Sequence, residues 1–209
     1  AKLRLGTGSG PDTILEIAKR LEDIGVSRIC IHGRTLKQRY SGIADWSIIS
    51  RVVDSVNIPV VANGDITNSE SALRCLEETG AAGLMIGRAA IGNPQIFHEI
   101  KSELGWVTKS APWKTQNLEK WNSSTEIEKK FIARSWAWKR YLQYADETNT
   151  MNLKSIRRHG VSFTKHLPGG SNFRSTIHMT KDLNHNSQLI LDWLESFAFS
   201  QQEATNSIA

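Results

Sequence analysis

The sequence predicts a parallel α/β unit followed by a small all-helical domain, on three observations. Residues 1–103 repeat a short apolar run, a turn and an amphipathic helix four times, about 25–30 residues apart. The runs Ile58-Pro59-Val60-Val61-Ala62 and Gly83-Leu84-Met85-Ile86-Gly87 are continuously apolar, as strands covered on both faces require. From Thr125 onward the strand pattern stops, and apolar residues recur at helical spacing. An open doubly wound sheet and a (β/α)8 barrel both fit four such units. A whole barrel needs eight, in roughly 250 residues.

Each element has a local reason. Lys2-Leu3-Arg4-Leu5 reads as a strand end before the turn Gly6-Thr7-Gly8-Ser9-Gly10. Pro11 stands near the start of the first helix, Ile14, Ile17, Ala18 and Leu21 form its apolar face, and Gly25 lies past its end. Ser27 to His32 is the second strand, and a loop from Gly33 to Ala44 leads to a helix from Asp45, its N-cap, to Ser55. The third strand runs into Asn63-Gly64-Asp65-Ile66, and Asn68 or Ser69 caps a helix that Gly80 ends. A helix after Pro94 follows the fourth strand. Residues 104–124 mix Pro, Gly, Ser and Trp without periodicity and read as a linker. Thr125-x-x-Glu128 is a capping box opening a helix to about Glu147. A second helix spans Leu153 to Lys165 before the Pro168-Gly169-Gly170 break. Shorter helices are expected near Asn172 to Thr180 and Asn186 to Phe199. The expected organisation is therefore a barrel-type unit over 1–103, a linker over 104–124, a helical domain over 125–200 and a polar, disordered tail over 201–209.

Composition excludes several classes. No run of eighteen apolar residues is present to span a membrane. The start, AKLRLG, lacks both a signal-peptide layout and a Met, and reads as a chain entered in the middle. Cys30 and Cys75 lack CxxC spacing, so neither a metal site nor a disulfide framework is indicated, and a reducing, cytoplasmic setting fits. The net charge of +5 lies wholly in residues 106–209, together with six of the seven tryptophans. A neutral half joined to a basic, Trp-rich half suits a polyanion-binding unit, although charge alone leaves a merely solvated surface equally open.

Functional loops in parallel α/β folds follow the carboxyl ends of the strands. Asn63-Gly64-Asp65 and Gly87-Arg88 stand there, with glycines for close approach, backbone N–H groups, a following helix N-terminus and a bidentate cation. That combination points to a phosphate site rather than to tight turns alone. Lys2 and Arg4 share one face of the first strand, where a cation could stabilise an anionic cofactor. An exposed strand end is the simpler reading of composition. His32 could donate to a ligand, and a satisfied structural histidine is the commoner outcome.

The strings LRLG, IHGRT, YSG-x-ADW (Tyr40 to Trp46), IPVVANGDI and MIGRAAIGNPQIF resemble, in order and spacing, the second half of the barrel of the tRNA-dihydrouridine synthases. In the helical half, Arg157-Arg158-His159 resembles the family's RNA-binding segment, with Arg174 near a later arginine and Ser162 and His166 where the family has Trp and Gly. The resemblance implies the C-terminal half of a (β/α)8 TIM barrel followed by a small all-α domain. It implies FMN, NADPH as reductant, and reduction of the uridine C5=C6 bond in tRNA. Carried over, Lys2 and His32 lie beside the flavin ring, Asn63, Gly64, Asp65, Gly87 and Arg88 hold its phosphate, and Arg34 lies near ring or substrate. The resemblance places Arg157, Arg158, His159 and Arg174 toward RNA. By spacing alone, Lys154, Arg157, Arg158 and Lys165 on one helix, with Lys129, Lys130, Arg134, Lys139 and Arg140 along the preceding one, could track RNA phosphates or form a solvated, salt-bridged helix pair. The family's catalytic cysteine lies upstream of the matched stretch, so the resemblance implies no catalytic acid in this chain and a missing N-terminal half as its partner. A flavin barrel acting on a small molecule and a non-catalytic RNA-binding module are the alternatives. The basic, Trp-rich half disfavours the former.

Overall fold

The computed structural model describes residues 1–9, 13–107 and 109–199. It forms two compact units, Ala1–Ala89 with Glu99–Trp106, and Ala90–His98 with the chain from Val107 onward. The first alternates β1 (Lys2–Arg4), α1 (Ile14–Asp23), β2 (Ile29–His32), α2 (Trp46–Val53), β3 (Val60–Asn63), α3 (Ser69–Thr79) and β4 (Gly83–Met85). All four strands are parallel, in the order β1-β2-β3-β4.

Register and the two-residue period of a strand sort the side chains onto two faces. One face carries Leu3, Ile31, Ala62 and Leu84, partners across the sheet, and Ile31 and Ala62 are fully buried there. The other carries a row of Arg4, His32, Asn63 and Met85 at the carboxyl ends, with Lys2, Cys30 and Val61 two residues earlier. A lysine and an asparagine thus share a face with a thiol, and the apolar pattern of each strand hides this. β1 and β4 are the edge strands among the described residues, and Gly83, Leu84 and Met85 of β4 are accordingly half-buried.

The helix ends follow their caps. Asp45 accepts from the Ile48 N–H at 3.2 Å. Asn68, rather than Ser69, caps α3 in a reciprocal box with Ser71, and Gly80 ends it in the left-handed region at φ 63. Pro11 falls outside the described residues.

The second unit is helical. The chain reaches it through a one-turn 3-10 stretch, Arg88–Ala90, and α4 (Ile96–Glu103), and continues as α5 (Pro112–Thr115), α6 (Leu118–Ser123), α7 (Glu126–Glu147), α8 (Leu153–Phe163), α9 (Gly170–Thr176) and α10 (Leu183–Phe199). Residues 104–124 are thus not plain linker: Ala111 and Trp113 are buried and pack with Ala133 and Trp136 of α7. Helices of four and six residues are too short to show a period. The capping box is present, with the Thr125 N–H donating to Glu128 Oε2 at 2.7 Å. Phe131, Trp138, Ile156, Phe163, Ile177, Ile190 and Leu194 form the core. The buried Trp138 indole donates to the Ser187 carbonyl at 3.1 Å, so this large ring carries no polar penalty. Gly160 lets α8 and α10 close up, since a Cβ there would lie 2.3 Å from Ile190 Cδ1. α10 begins earlier than its apolar pattern suggests, because the Asp182 side chain accepts from the His185 N–H at 2.6 Å. The tail assigned to 201–209 lies outside the described residues, and among those described no helix is long and apolar enough to cross a membrane.

Candidate functional site

The row at the strand ends forms a connected polar cluster. Lys2 Nζ donates to Asn63 Oδ1 at 3.3 Å, and Asn63 Nδ2 donates to the Met85 carbonyl at 2.7 Å. Asn63 thereby holds the ammonium over the β2–β3 seam, and no carboxylate pairs with Lys2 among the described residues. The cation is tethered by a neutral group.

His32 is 7% exposed and lies under Gly64. A Cβ at Gly64 would sit 2.7 Å from Ala44 Cβ and 3.0 Å from His32 Cδ2, and its φ of +121 suits glycine alone. Burial first, then the cations Arg4, Lys2 and Arg34, push the His32 imidazole down to about 4, with Asp65 opposing. Its ring is neutral at physiological pH and offers one donor and one acceptor, not a proton reservoir.

Asp65 organises the cations. Its Oδ2 accepts from Arg34 Nη2 and from the Ala44 N–H, both at 2.7 Å, and Oδ1 lies 3.8 Å from Arg88 Nη2. Burial alone would raise this carboxyl, but the Ala44 N–H, Arg34 and Arg88 outweigh it and hold the pKa below the usual range. Arg34, expected near ring or substrate, is only 2% exposed and donates to the Ser41 and Gly42 carbonyls at 3.1 and 2.6 Å. It staples the 33–44 loop to the sheet end and presents no surface to a macromolecule; its Nη1 is buried without a partner.

Arg88 is the open cation. Its side chain is 59% exposed, its ion pair with Asp65 is long, and it stacks 4.5 Å from the Tyr40 ring centroid. Gly87 has nothing within 4 Å of its Cβ position, so its backbone is approachable. The 3-10 turn Arg88–Ala90 follows, so this loop has no α-helix N-terminus to add to the site. Asp65, expected to hold a phosphate, instead binds Arg34 and the Ala44 N–H, while the roles of Tyr40, beside Arg88, and of Trp46, whose indole donates to the Gly64 carbonyl at 3.1 Å, were not assigned from the sequence.

Both thiols are buried. Burial raises Cys30, which contacts Met85 Sδ at 3.5 Å, and pushes Cys75 up to about 12. Neither is poised to give or accept a proton.

In the helical unit, Lys154 and Arg158 are exposed on α8 one turn apart. Arg157 is tied down instead, donating to the Thr180 carbonyl at 2.5 Å, and Arg174 bonds the Thr164 carbonyl at 3.3 Å. His159 packs against Tyr141 with centroids 4.8 Å apart. Arg134, expected on the basic surface, is buried and bonds the carbonyls of Gly92 and Phe163. Lys139 pairs with Glu195 at 2.6 Å and Lys129 with Glu126 at 2.8 Å, which removes much of that helix's free charge.

The parallel sheet carries cations, an asparagine and an open Gly-Arg turn at its carboxyl ends, where the functional loops of α/β folds lie. The family model for dihydrouridine synthase (Dus) matches residues 1–200, and the chain belongs to that family, whose fold is a TIM barrel. It is 34% identical over 190 residues to the probable tRNA-dihydrouridine synthase 1 of Synechocystis sp., covering 90% of this chain and 49% of that protein. With tRNA-dihydrouridine synthase B of Pseudomonas syringae pv. tomato it shares 35% identity over 181 residues, 87% of this chain and 50% of the relative. A probable tRNA-dihydrouridine synthase of Rhodobacter capsulatus is 50% identical over 103 residues, 49% of this chain and 32% of that protein. The chain spans about half the length of the curated relatives it matches.

Proposed function

We propose that this chain is the cofactor-phosphate half of a tRNA-dihydrouridine synthase barrel with its RNA-binding helical domain, working in the cytoplasm. The observation that carries the reading is the polar row Lys2–Asn63 beside the open Gly87-Arg88 turn. FMN fits these residues: Gly87 is unobstructed, Arg88 is weakly engaged, and Lys2 is an unpaired cation held by Asn63. When bound, FMN supplies two-electron transfer from NADPH to the uridine C5=C6 bond. Arg88, with the backbone of Gly64 and Gly87, holds the phosphate, and Asp65 keeps Arg88 aimed toward that turn. Lys2 favours negative charge on the ring, and neutral His32 hydrogen-bonds without exchanging charge. Cys30 and Cys75 are buried with raised pKa values, which disfavours either thiol as the acid that protonates C5.

In a barrel completed by its preceding strands, Arg88→Ala is expected to weaken FMN binding ten- to a hundredfold, as loss of a charge-assisted contact of about 1.5–3 kcal/mol implies. Lys2→Ala should slow flavin reduction more than it lowers flavin retention. Flavin fluorescence titration checks both, and unchanged affinity in Arg88→Ala would remove the phosphate assignment.

On the RNA side, Lys154→Ala with Arg158→Ala is expected to flatten the salt dependence of tRNA affinity by one to two counterion units, roughly equally for different tRNAs. Arg157→Ala should instead lower the melting temperature of the helical unit, because its guanidinium bonds a backbone carbonyl. Binding at several salt concentrations separates the two effects. A flavin-loaded protein with no affinity for tRNA would favour a small-molecule reductase.

A further inference from the structure

We propose that a groove between α7 and α8 takes one unstacked nucleotide of the RNA, separate from the uridine that reacts. The inference rests on the tRNA reading above. The groove holds about 840 Å³, in the range of small-molecule sites. All its lining residues belong to the helical unit, and none of the strand-end residues described above contributes.

Two adjacent ridges of α7 build one wall. Trp136, Arg140 and Tyr144 follow each other at four-residue spacing, beside Ala137, Tyr141 and Ala145. The alanines keep the floor low while three aromatic rings rise from it. Tyr141 is backed by the fully buried Trp138, stacked at 5.1 Å, and meets His159 of α8 at 4.8 Å. These are rigid flat surfaces of the kind on which bases stack.

The charges suit a nucleotide better than an apolar ligand. No Asp or Glu lines the groove. Arg140 sits 4.6 Å from the Tyr144 centroid and, among the described residues, bonds Gln143 and the Tyr144 hydroxyl. Arg158, next to His159, is exposed, and neither arginine has a carboxylate within ion-pair distance among the described residues. Burial first, and Arg158 second, lower the His159 pKa, so its ring presents a donor and an acceptor at neutral pH. A π-face, a neutral donor–acceptor pair and two uncompensated cations match the three parts of a nucleotide: ring face, base edge and phosphate. An apolar helix or lipid chain would have no use for the cations. Base-paired RNA cannot enter, because its rings are already stacked.

The test uses a ten-nucleotide single-stranded RNA with 2-aminopurine at its centre, the same sequence as a duplex, and tRNA. The 209-residue chain is expected to quench the single-stranded probe, and 4-thiouridine at that position should photocrosslink to peptides carrying Trp136, Tyr141 or Tyr144. Tyr144→Ala, whose ring is largely exposed, should lose the quench and bind the single strand about tenfold more weakly, with duplex binding unchanged. Tyr141→Phe, which keeps the ring, should behave as the parent. Equal quenching and affinity in Tyr144→Ala and Arg140→Ala, with crosslinks elsewhere, would overturn the pocket and leave the tRNA reading standing. No binding of tRNA by the parent would overturn both.

Discussion

Gly92→Ala is expected to unfold the helical unit or to leave it molten. Gly92 has φ +73, and a Cβ there would lie 2.3 Å from the Ser162 carbonyl carbon, 2.4 Å from its oxygen and 2.7 Å from the Phe163 nitrogen. All three are backbone atoms inside or at the end of a helix, so none can swing aside. The Gly92 carbonyl also accepts from Arg134, a cation only 9% exposed, and displacing it leaves that guanidinium short of an acceptor. Overpacking of about 1–3 kcal/mol, a left-handed alanine of about 1–2 and a weakened buried hydrogen bond of about 1 add up to roughly 3–6 kcal/mol. That is a large fraction of the roughly 5–15 kcal/mol by which an ordinary domain is stable. Thermal melting by circular dichroism should show a fall of about 20 °C or loss of cooperativity. Gly25→Ala is the control: φ is +86 but nothing lies within 4 Å, so only about 1 kcal/mol is expected. Similar melting curves for the two variants would mean that the approach of the 90–94 segment to α8 does not bear on stability.

What was readable in the sequence was local. Asp45, the Thr125–Glu128 box and Gly80 act within one helical turn of their own positions, so the caps can be seen in the string. The Gly87-Arg88 turn was legible for the same reason. Contacts between distant residues were not. Arg34 and Asp65 are 31 residues apart, and nothing in either segment says that this arginine turns inward to staple a loop. Arg157 resembled its exposed neighbours, yet it caps the chain near Thr180. Arg134 did carry a signal: it lies three residues after Phe131 and four before Trp138, on the core-facing stripe of α7, where a guanidinium must find carbonyls. A charged residue at a core position is a report of its partners, and the basic-surface reading should have excluded it. The same spacing logic finds the Trp136–Arg140–Tyr144 ridge, which overall charge does not reveal.

Asp65→Ala is expected to destabilise the sheet unit by about 3–5 kcal/mol at neutral pH. The carboxylate is the only anion within ion-pair distance of Arg34 among the described residues, and the Arg34 side chain is 3% exposed. Removing one partner of a buried pair strands the other charge, which costs far more than the pair contributes to stability. The Ala44 N–H loses its acceptor as well. With Arg34 no longer anchored, its hold on the Ser41 and Gly42 carbonyls loosens, and Arg88 loses the group that keeps it beside Tyr40. The sign with pH follows from the depressed carboxyl: the folded state binds this proton more weakly than the unfolded chain. Its contribution is therefore complete above the unfolded pKa near 3.8 and is lost as pH falls through the lower folded value. Urea melts at pH 7 and pH 3 should show the parent–variant gap narrowing in acid. Asp65→Asn keeps an acceptor and tolerates φ 55, so it should fall between the two. Arg34→Met with Asp65→Leu removes both charges; it should recover much of the stability lost in Asp65→Ala, because no lone cation is left buried. Yet it should still fail to order the 33–44 loop, read as faster amide exchange at Ser41 to Ala44. If Asp65→Ala melts like the parent at pH 7, Arg34 is not held by charge, and the loop must be ordered by its own backbone.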